Sequence, residues 1–351
     1  MRAAVWYGAR DVRITDVDLP APGPGEVRVE VAYCGICGSD LHEYRDGPHA
    51  IPVSAPHPAS GVTAPLVLGH EFCGTVAEVG PGVTGPAPGD PVAVEPNYRC
   101  GACPRCEAGE YNICRHFGFA GLMGHGGLAE YATVPAYMLH PLPPSVSLEQ
   151  AAVFEPAAVA LHALRRSGAG RGDTVLVLGL GPIGLLIVLL AAELGVGRII
   201  AADVAANRLA LAGELGATDL VDAAEPGVGG RVRALTRGQG ADLAFEVVGA
   251  EATLRTCQAA TRRGGKIILV GLGGEVSLDA FSLVNDEQSI VTSVGYRYCH
   301  PELIRLAGRV DLTPIVTSVI ALDDVVTAGF DALLGSADQI KVLVRPRGAA
   351  G

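Results

Sequence analysis

The sequence predicts an α/β protein of two domains, one β-rich and irregular, the other a doubly wound parallel sheet, and three observations carry that prediction. At 351 residues the chain is long for one core, since domains cluster near about 100–200 residues. Residues 1–152 are rich in Gly and Pro, with short apolar runs such as EVRVEVAYC (26–34) and GTVAEVG (74–80) broken by PAPGPG, GPGVTGPAPGD and PLPPS. That is the texture of short strands and tight turns. Over residues 153–299, short apolar segments alternate with Ala/Leu-rich helical ones, the pattern of parallel strands joined by crossover helices.

The alternation reads in order. TVLVLG (174–179) is a strand, PIGLLIVLLAAELG a helix, RIIAAD (198–203) a strand and ANRLALAGELG a helix. TDLVD (218–222), a helical segment to 237, ADLAFEVVG (241–249), another helix and GKIILVGL (265–272) complete the series. Residues 300–351 are expected to return to the first domain through a final helix and a strand at QIKVLVRP.

Composition excludes several functions. The formal net charge is −11 and no Lys/Arg block occurs, so the basic surface that holds a phosphate backbone is lacking and no nucleic acid is expected as partner. The most apolar stretch, LLIVLLAAELGVGRIIAA (185–202), is interrupted by Glu193, two glycines and Arg198, which predicts a buried helix leading into a strand and no membrane span. The opening MRAAVWYGARDVRITDV lacks the apolar core of a signal peptide, so a cytoplasmic chain is expected.

GLGPIG (179–184) fits G-x-G-x-x-G at a strand-to-helix turn. Gly179 permits the tight turn, Gly181 lets the backbone approach a pyrophosphate, and Gly184 allows helix and strand to pack closely. Pro182 and Ile183 open the helix whose N–H groups face the anion. Asp203 follows Gly184 by nineteen residues at the end of the next strand, where a carboxylate binds the hydroxyls of an adenosine ribose and repels a 2′-phosphate. NAD is therefore expected over NADP. Arg208, five residues on, either opposes that preference or stacks on the adenine.

Cys100, Cys103, Cys106 and Cys114 fall within fifteen positions. Nine cysteines is an odd number, and disulfides are rare in the cytoplasm. Redox motifs use two thiols near a βαβ unit, whereas four thiolates close a tetrahedron around a structural zinc. A second set of donors is scattered: Cys37, Ser39, Asp40 and His42 in CGICGSDLHEY, His70 and Glu71 in LGHEFCGTV, and Glu155 in an apolar run. Singly, each has an ordinary structural role. Together with a nicotinamide site, mixed S, N and O ligands suggest a catalytic zinc with one vacant position.

The motifs GICGSDLH, GHEFCGTV, the four-cysteine lobe, GGLAEY (126–131), GLGPIGLL and FEVVG make the chain resemble the zinc-dependent medium-chain alcohol dehydrogenases over nearly its full length. Within them it is most similar to the (R,R)-butanediol dehydrogenases, while YRYCHPE (296–302) is similar to sorbitol dehydrogenases. The resemblance implies a GroES-like catalytic domain, a Rossmann domain and two zinc ions per chain. It implies Cys37, His70 and Glu155 as catalytic zinc ligands, with Glu71 an exchanging carboxylate and Asp40 orienting His70. It also implies that Ser39 and His42 relay a proton through the nicotinamide ribose, and that the chain forms a homodimer or homotetramer.

The implied reaction is oxidation of a vicinal diol, (R,R)-2,3-butanediol to acetoin and back. A polyol, aminocyclitol or L-threonine dehydrogenase is the alternative, and a non-catalytic zinc-stabilised binding protein the reading from another class. Met123, His125 and His49 stand where butanediol enzymes carry other residues. His49, Arg297 and Tyr298 are the candidate substrate contacts, Arg297 being the cation a carboxylate-bearing substrate would need.

Overall fold

The computed structural model describes residues 1–19, 21–336 and 338–347; the parts of the expected first domain at Pro20, Ala337 and residues 348–351 lie outside the described residues. Contacts divide the chain into two compact units, Met1–Glu155 with Arg297–Gly351, and Pro156–Tyr296.

The first unit is built on a seven-stranded sheet whose central strand is Glu26–Gly35. Its side chains alternate, with Val27, Val29 and Val31 buried, because one face of the strand packs on the core and successive residues point to opposite faces. Glu71–Val79, Tyr131–Pro135 and Lys341–Arg345 all pair antiparallel to it. Register shifts interrupt its pairing with Glu71–Val79 at Arg28/Val29 and Val31/Tyr33, and such bulges bend a strand and re-aim its end. The redirected end runs through Gly35 and Ile36 to Cys37, which caps the helix Gly38–Asp46.

The core of this unit gathers Trp6, Phe72, Met138, Phe330 and Val342, all buried. A side chain of the size of Phe72 contributes roughly 1.5–3 kcal/mol by leaving water. Trp6 also keeps its polar handle satisfied, donating from Nε1 to the Glu43 carbonyl at 2.9 Å.

The second unit holds six parallel strands in the order Asp219–Asp222, Arg198–Asp203, Thr174–Leu178, Ala241–Glu246, Thr261–Leu269 and Ser289–Thr292. Sequence order is 3-2-1-4-5-6, so the winding reverses at Thr174–Leu178, beside the crevice where such sheets take a dinucleotide. The central strands are apolar through their middles, with Val175, Leu176, Val177, Ile199, Ile200 and Phe245 buried, as strands covered on both faces must be, and carry their charges at or near the ends, at Arg198, Asp203, Asp242 and Glu246. Ser289–Thr292 forms the outer edge, a strand the sequence reading did not mark. Among the described residues no helix is long and apolar enough to cross a membrane.

Candidate functional site

Three strands of the first unit deliver their ends to one buried point. Gly35 pairs with Glu71 on one side and with Leu343 on the other. This brings the segment after Gly35, the residues around His70 and the start of Lys341–Arg345 together. A Cβ at Gly35 would stand 2.1 Å from Glu71 Oε2, so the Glu71 carboxylate occupies space that only glycine leaves open.

Cys37, His70 and Glu71 each offer a ligand atom, and these lie within 4.8 Å of one another. His70 and Glu71 are buried and Cys37 partly so. Asp40, fully buried, accepts from the Cys37 backbone N–H at 2.9 Å through Oδ2 and turns Oδ1 toward His70 Nδ1 at 3.5 Å. That arrangement leaves His70 Nε2, which lies 3.4 Å from Ser39 Oγ, as the outward nitrogen. Burial pushes the His70 imidazole down, yet the Asp40 carboxylate and the Cys37 thiol beside it hold it well above the usual histidine range. A buried S, N and O donor set in so negative a field fits a divalent cation, zinc by its softness.

Glu155, also buried, stands in the first turn of the helix Phe154–Ser167, outside the group of three. The residue that sequence reasoning missed is Lys341. Its Nζ lies 2.8 and 2.6 Å from the two Glu71 oxygens and 2.9 Å from the Ile36 carbonyl, with both side chains about 1% exposed. Burial pushes the Lys341 ammonium down, and the negative charges of Glu71, Cys37 and Glu155 more than restore it.

The four lobe cysteines form a second group, with Sγ separations of 3.5 Å for Cys100 and Cys114, 3.9 Å for Cys103 and Cys114, and 4.0 Å for Cys100 and Cys106. No disulfide joins them. Four sulfurs at about 2.3 Å from a central zinc stand roughly 3.8 Å apart, so the spacing fits that ion. The backbone N–H groups of Cys100 and His116 both point at Cys114 Sγ at 3.3 Å, and backbone donors of Arg115 and Cys106 pull the Cys103 thiol down to about 6. Such donors favour thiolate.

Glu95, His140 and His300 also bring ligand atoms within 4.8 Å. Here the two imidazoles stack, 4.8 Å apart and 15° from parallel, and an ion bound in the plane of one ring cannot lie in the plane of the other. Glu95 instead accepts from Tyr111 Oη at 2.6 Å and faces His140 Nε2 at 2.9 Å. Tyr111 in turn accepts the Tyr298 backbone N–H at 2.6 Å, so this network ties the cysteine lobe to the segment that follows Arg297.

The candidate substrate residues are placed as follows. Tyr298 is 58% exposed and its ring meets that of Tyr111 edge-on. Arg297 Nη1 donates to the Gly109 carbonyl at 3.3 Å and lies 3.3 Å from Glu110 Oε1. His49 faces Asp46 at 2.8 Å. His125 Nδ1 accepts the Val67 N–H at 3.2 Å, and Met123 Sδ accepts that of Phe119 at 3.3 Å, so His125 ties its loop to the strand Leu66–Val67 and Met123 braces its own turn. Phe119 stacks at a tilt against His70, ring centroids 5.6 Å apart, with Phe117 edge-on behind it at 4.9 Å.

In the second unit, Gly181 caps the helix Pro182–Glu193 with Pro182 in its first turn. Gly179 has φ +98°, and a Cβ at Gly184 would stand 1.9 Å from the Gly179 carbonyl oxygen. Helix and strand therefore approach as closely as a pyrophosphate-binding turn requires. Asp203 is buried at the end of its strand, Oδ2 accepting Leu180 N–H at 2.6 Å and Oδ1 accepting Ala205 N–H at 2.9 Å. A carboxylate so held keeps further lone pairs for ribose hydroxyls. Arg208 is half-buried in the first turn of the helix Ala206–Glu214.

Fold and donor sets together define a zinc-dependent oxidoreductase of the medium-chain type. Residues 23–144 match the alcohol dehydrogenase GroES-like domain and residues 182–309 the zinc-binding dehydrogenase domain, and the chain belongs to the zinc-dependent alcohol dehydrogenase family. It is 40% identical to (R,R)-butanediol dehydrogenase of Bacillus subtilis strain 168, covering 99% of this chain and 100% of that one. Identity to the sorbitol dehydrogenase of the same strain is 34%, covering 99% and 97%. The crystal structure of 2R,3R-butanediol dehydrogenase from Bacillus subtilis superposes with a TM-score of 0.93 at 39% identity, covering 99% of each chain.

Proposed function

We propose that this protein is an NAD-dependent dehydrogenase of neutral vicinal diols, with (R,R)-2,3-butanediol and acetoin as its substrate pair. The observation that carries the reading is the convergence of Cys37, half-buried, with buried His70 and Glu71, and Asp40 behind them. Zinc bound there supplies Lewis acidity toward an alcohol oxygen, and a nicotinamide dinucleotide supplies the hydride acceptor.

The chain's own residues do the rest. Cys37 and His70 hold the metal with Glu155 or Glu71 as the carboxylate, and Lys341 favours Glu155 by engaging Glu71. Asp40 fixes the His70 tautomer. Ser39, whose Oγ lies 3.4 Å from His70 Nε2, takes the substrate hydroxyl proton, and His42 passes it outward. The N-terminus of Pro182–Glu193, with Gly179, Gly181, Ile183 and Gly184, receives the pyrophosphate, Asp203 the ribose hydroxyls and Arg208 the adenine edge. The lobe cysteines hold a structural zinc.

Two observations support a neutral, partly apolar diol. Phe119 and Phe117 put an aromatic wall against a metal-ligating imidazole, which suits a methyl group better than a polyol chain. Arg297 already faces Glu110, which weakens it as an anchor for an amino acid carboxylate. The relatives' names support the same choice.

The outer edge strand Ser289–Thr292, with Phe281 81% and Val284 78% exposed nearby, supports a homodimer or homotetramer, because unpaired edges and apolar patches are ordinarily covered. Nine cysteines without a disulfide support a cytoplasmic location.

Initial rates of NAD⁺ reduction by zinc-replete protein test the substrate. A kcat/KM for one 2,3-butanediol stereoisomer at least about tenfold above sorbitol, a cyclitol and threonine is expected. Preference for any of those three would overturn it.

A further inference from the structure

The polar face of the helix Gly38–Asp46 continues beyond the two residues the proposed reaction uses. Ser39, His42 and Asp46 stand at i, i+3 and i+7, along one side of the helix, while Asp40, Glu43 and Tyr44 are buried on the other. Glu43 then fixes the turn that follows. Its carboxylate accepts the backbone N–H of His49 at 2.9 Å and that of Ile51 at 3.3 Å, and that of Ala50 as well. This buried acceptor places His49 over the helix end, where its Nε2 lies 2.8 Å from Asp46 Oδ1. The His49 ring meets the His42 ring edge-on, centroids 6.4 Å apart and 74° between planes.

We infer that His49 is the next proton carrier after His42, and that Asp46 is the positioning residue that makes it one. The inference rests on the reading of His42 as the outlet of the proton path. With Asp46 accepting from Nε2–H, the basic lone pair of His49 is on Nδ1. His42 releases the proton it received, Nδ1 of His49 takes it directly or across one water, and the imidazolium so formed is balanced by the Asp46 carboxylate. His49 then returns the proton to solvent or buffer. One proton moves and no electrons do. The charged and titratable groups around His49 are Asp46, His42, the Glu43 carboxylate beneath its backbone, and Arg45, whose Nε lies 3.2 Å from Asp46 Oδ2. His49 and Asp46 are each about half exposed, at 53% and 51%, so the pair opens to water, as a proton exit must.

Water alone accepts a proton poorly at neutral pH, and a fixed imidazole does so far better. The test is steady-state alcohol oxidation in weak buffer, with and without added N-methylmorpholine, for wild type, His49→Gln, Asp46→Asn and His42→Ala, each checked for equal zinc content. His49→Gln is expected to lower kcat by roughly tenfold in weak buffer with KM unchanged, and the added base to restore it. Asp46→Asn should lower kcat in weak buffer in the same way and be rescued by the same added base, since His49 loses the acceptor that holds its Nε2 and keeps Nδ1 free for the proton. A His49→Gln kcat equal to wild type in weak buffer, or a loss that the added base does not restore, overturns the inference. If His42→Ala is slowed and rescued while His49→Gln is not slowed, only this inference fails; if His42→Ala keeps the full rate, the proton path itself fails with it.

Discussion

Lys341 Nζ is bonded to both oxygens of Glu71, at 2.8 and 2.6 Å, in a place where neither side chain reaches water. Removing one partner of such a pair leaves an unbalanced buried charge, which costs about 3–5 kcal/mol. Lys341→Met should therefore lower unfolding stability by about that much, measured by urea denaturation of the zinc-replete protein. The double variant Lys341→Met with Glu71→Gln should recover most of the loss. Equal destabilisation in single and double variants would mean that the packing of Lys341 matters and its charge does not.

The cysteine lobe has little core of its own, and Cys103 is drawn toward thiolate by backbone donors. Cys103→Ser should lower the zinc content by one ion per chain and open the lobe to trypsin at Arg105 and Arg115. Zinc analysis with limited proteolysis checks both. Unchanged metal content would remove the structural zinc from the account.

Asp203 is expected to serve the cofactor and its own loop at once, since its two oxygens already accept Leu180 and Ala205 N–H groups. Asp203→Ala removes an acceptor worth about 1.5–3 kcal/mol per charged hydrogen bond, so the KM for NAD⁺ should rise about 10- to 100-fold. NADP⁺ should lose its disadvantage. Steady-state kinetics with both cofactors measures the split.

The network around Glu95 predicts an acid limit to stability. Burial pushes Glu95 up, but the hydrogen bond from His140, the nearby His300 and Tyr111 hold it down at about 2, while burial and the neighbouring His140 push His300 down to about 3. Both folded values lie below the ordinary ones of 4.5 and 6.5, so the unfolded chain takes up protons first. The contribution from His300 is complete above pH 6.5 and is lost as pH falls toward 3; that of Glu95 goes between 4.5 and 2. Unfolding free energy measured from pH 7 to 4 should fall with a slope that His300→Phe reduces by up to about 1.4 kcal/mol per pH unit. An identical slope in the variant would contradict this.

What could be read from the sequence was whatever is local. The four lobe cysteines lie in one short segment, and GLGPIG with Asp203 lies within one βαβ unit, so spacing alone conveys their chemistry. Cys37, Ser39, Asp40 and His42 share one turn of chain. Lys341 was not legible because QIKVLVRP reads as a strand with a charge at its start. Only the pairing of Lys341–Arg345 with Glu26–Gly35 turns that lysine onto Glu71. A signal existed in the unbroken apolar run Val342, Leu343 and Val344 that follows Lys341, since such a run marks a strand covered on both faces and a lysine in it needs a counter-charge. The Glu95, His140 and His300 network joins residues far apart in sequence, and periodicity is silent on such meetings. Ser289–Thr292 escaped because the helix before it, Ala280–Asn285, is only six residues long and carries too little periodicity to extend the strand–helix alternation beyond GKIILVGL.

The most direct test of the central claim is Cys37→Ser, assayed for zinc content, NADH binding by fluorescence and alcohol oxidation. Loss of one zinc per chain and of at least about a thousandfold in kcat, with NADH affinity kept, is the predicted result, because metal-assisted alcohol activation goes while the Rossmann unit stays intact. Alcohol oxidation at the wild-type rate in a protein that has lost that zinc would contradict the assignment of Cys37, His70 and Glu71 as the site where the chemistry happens.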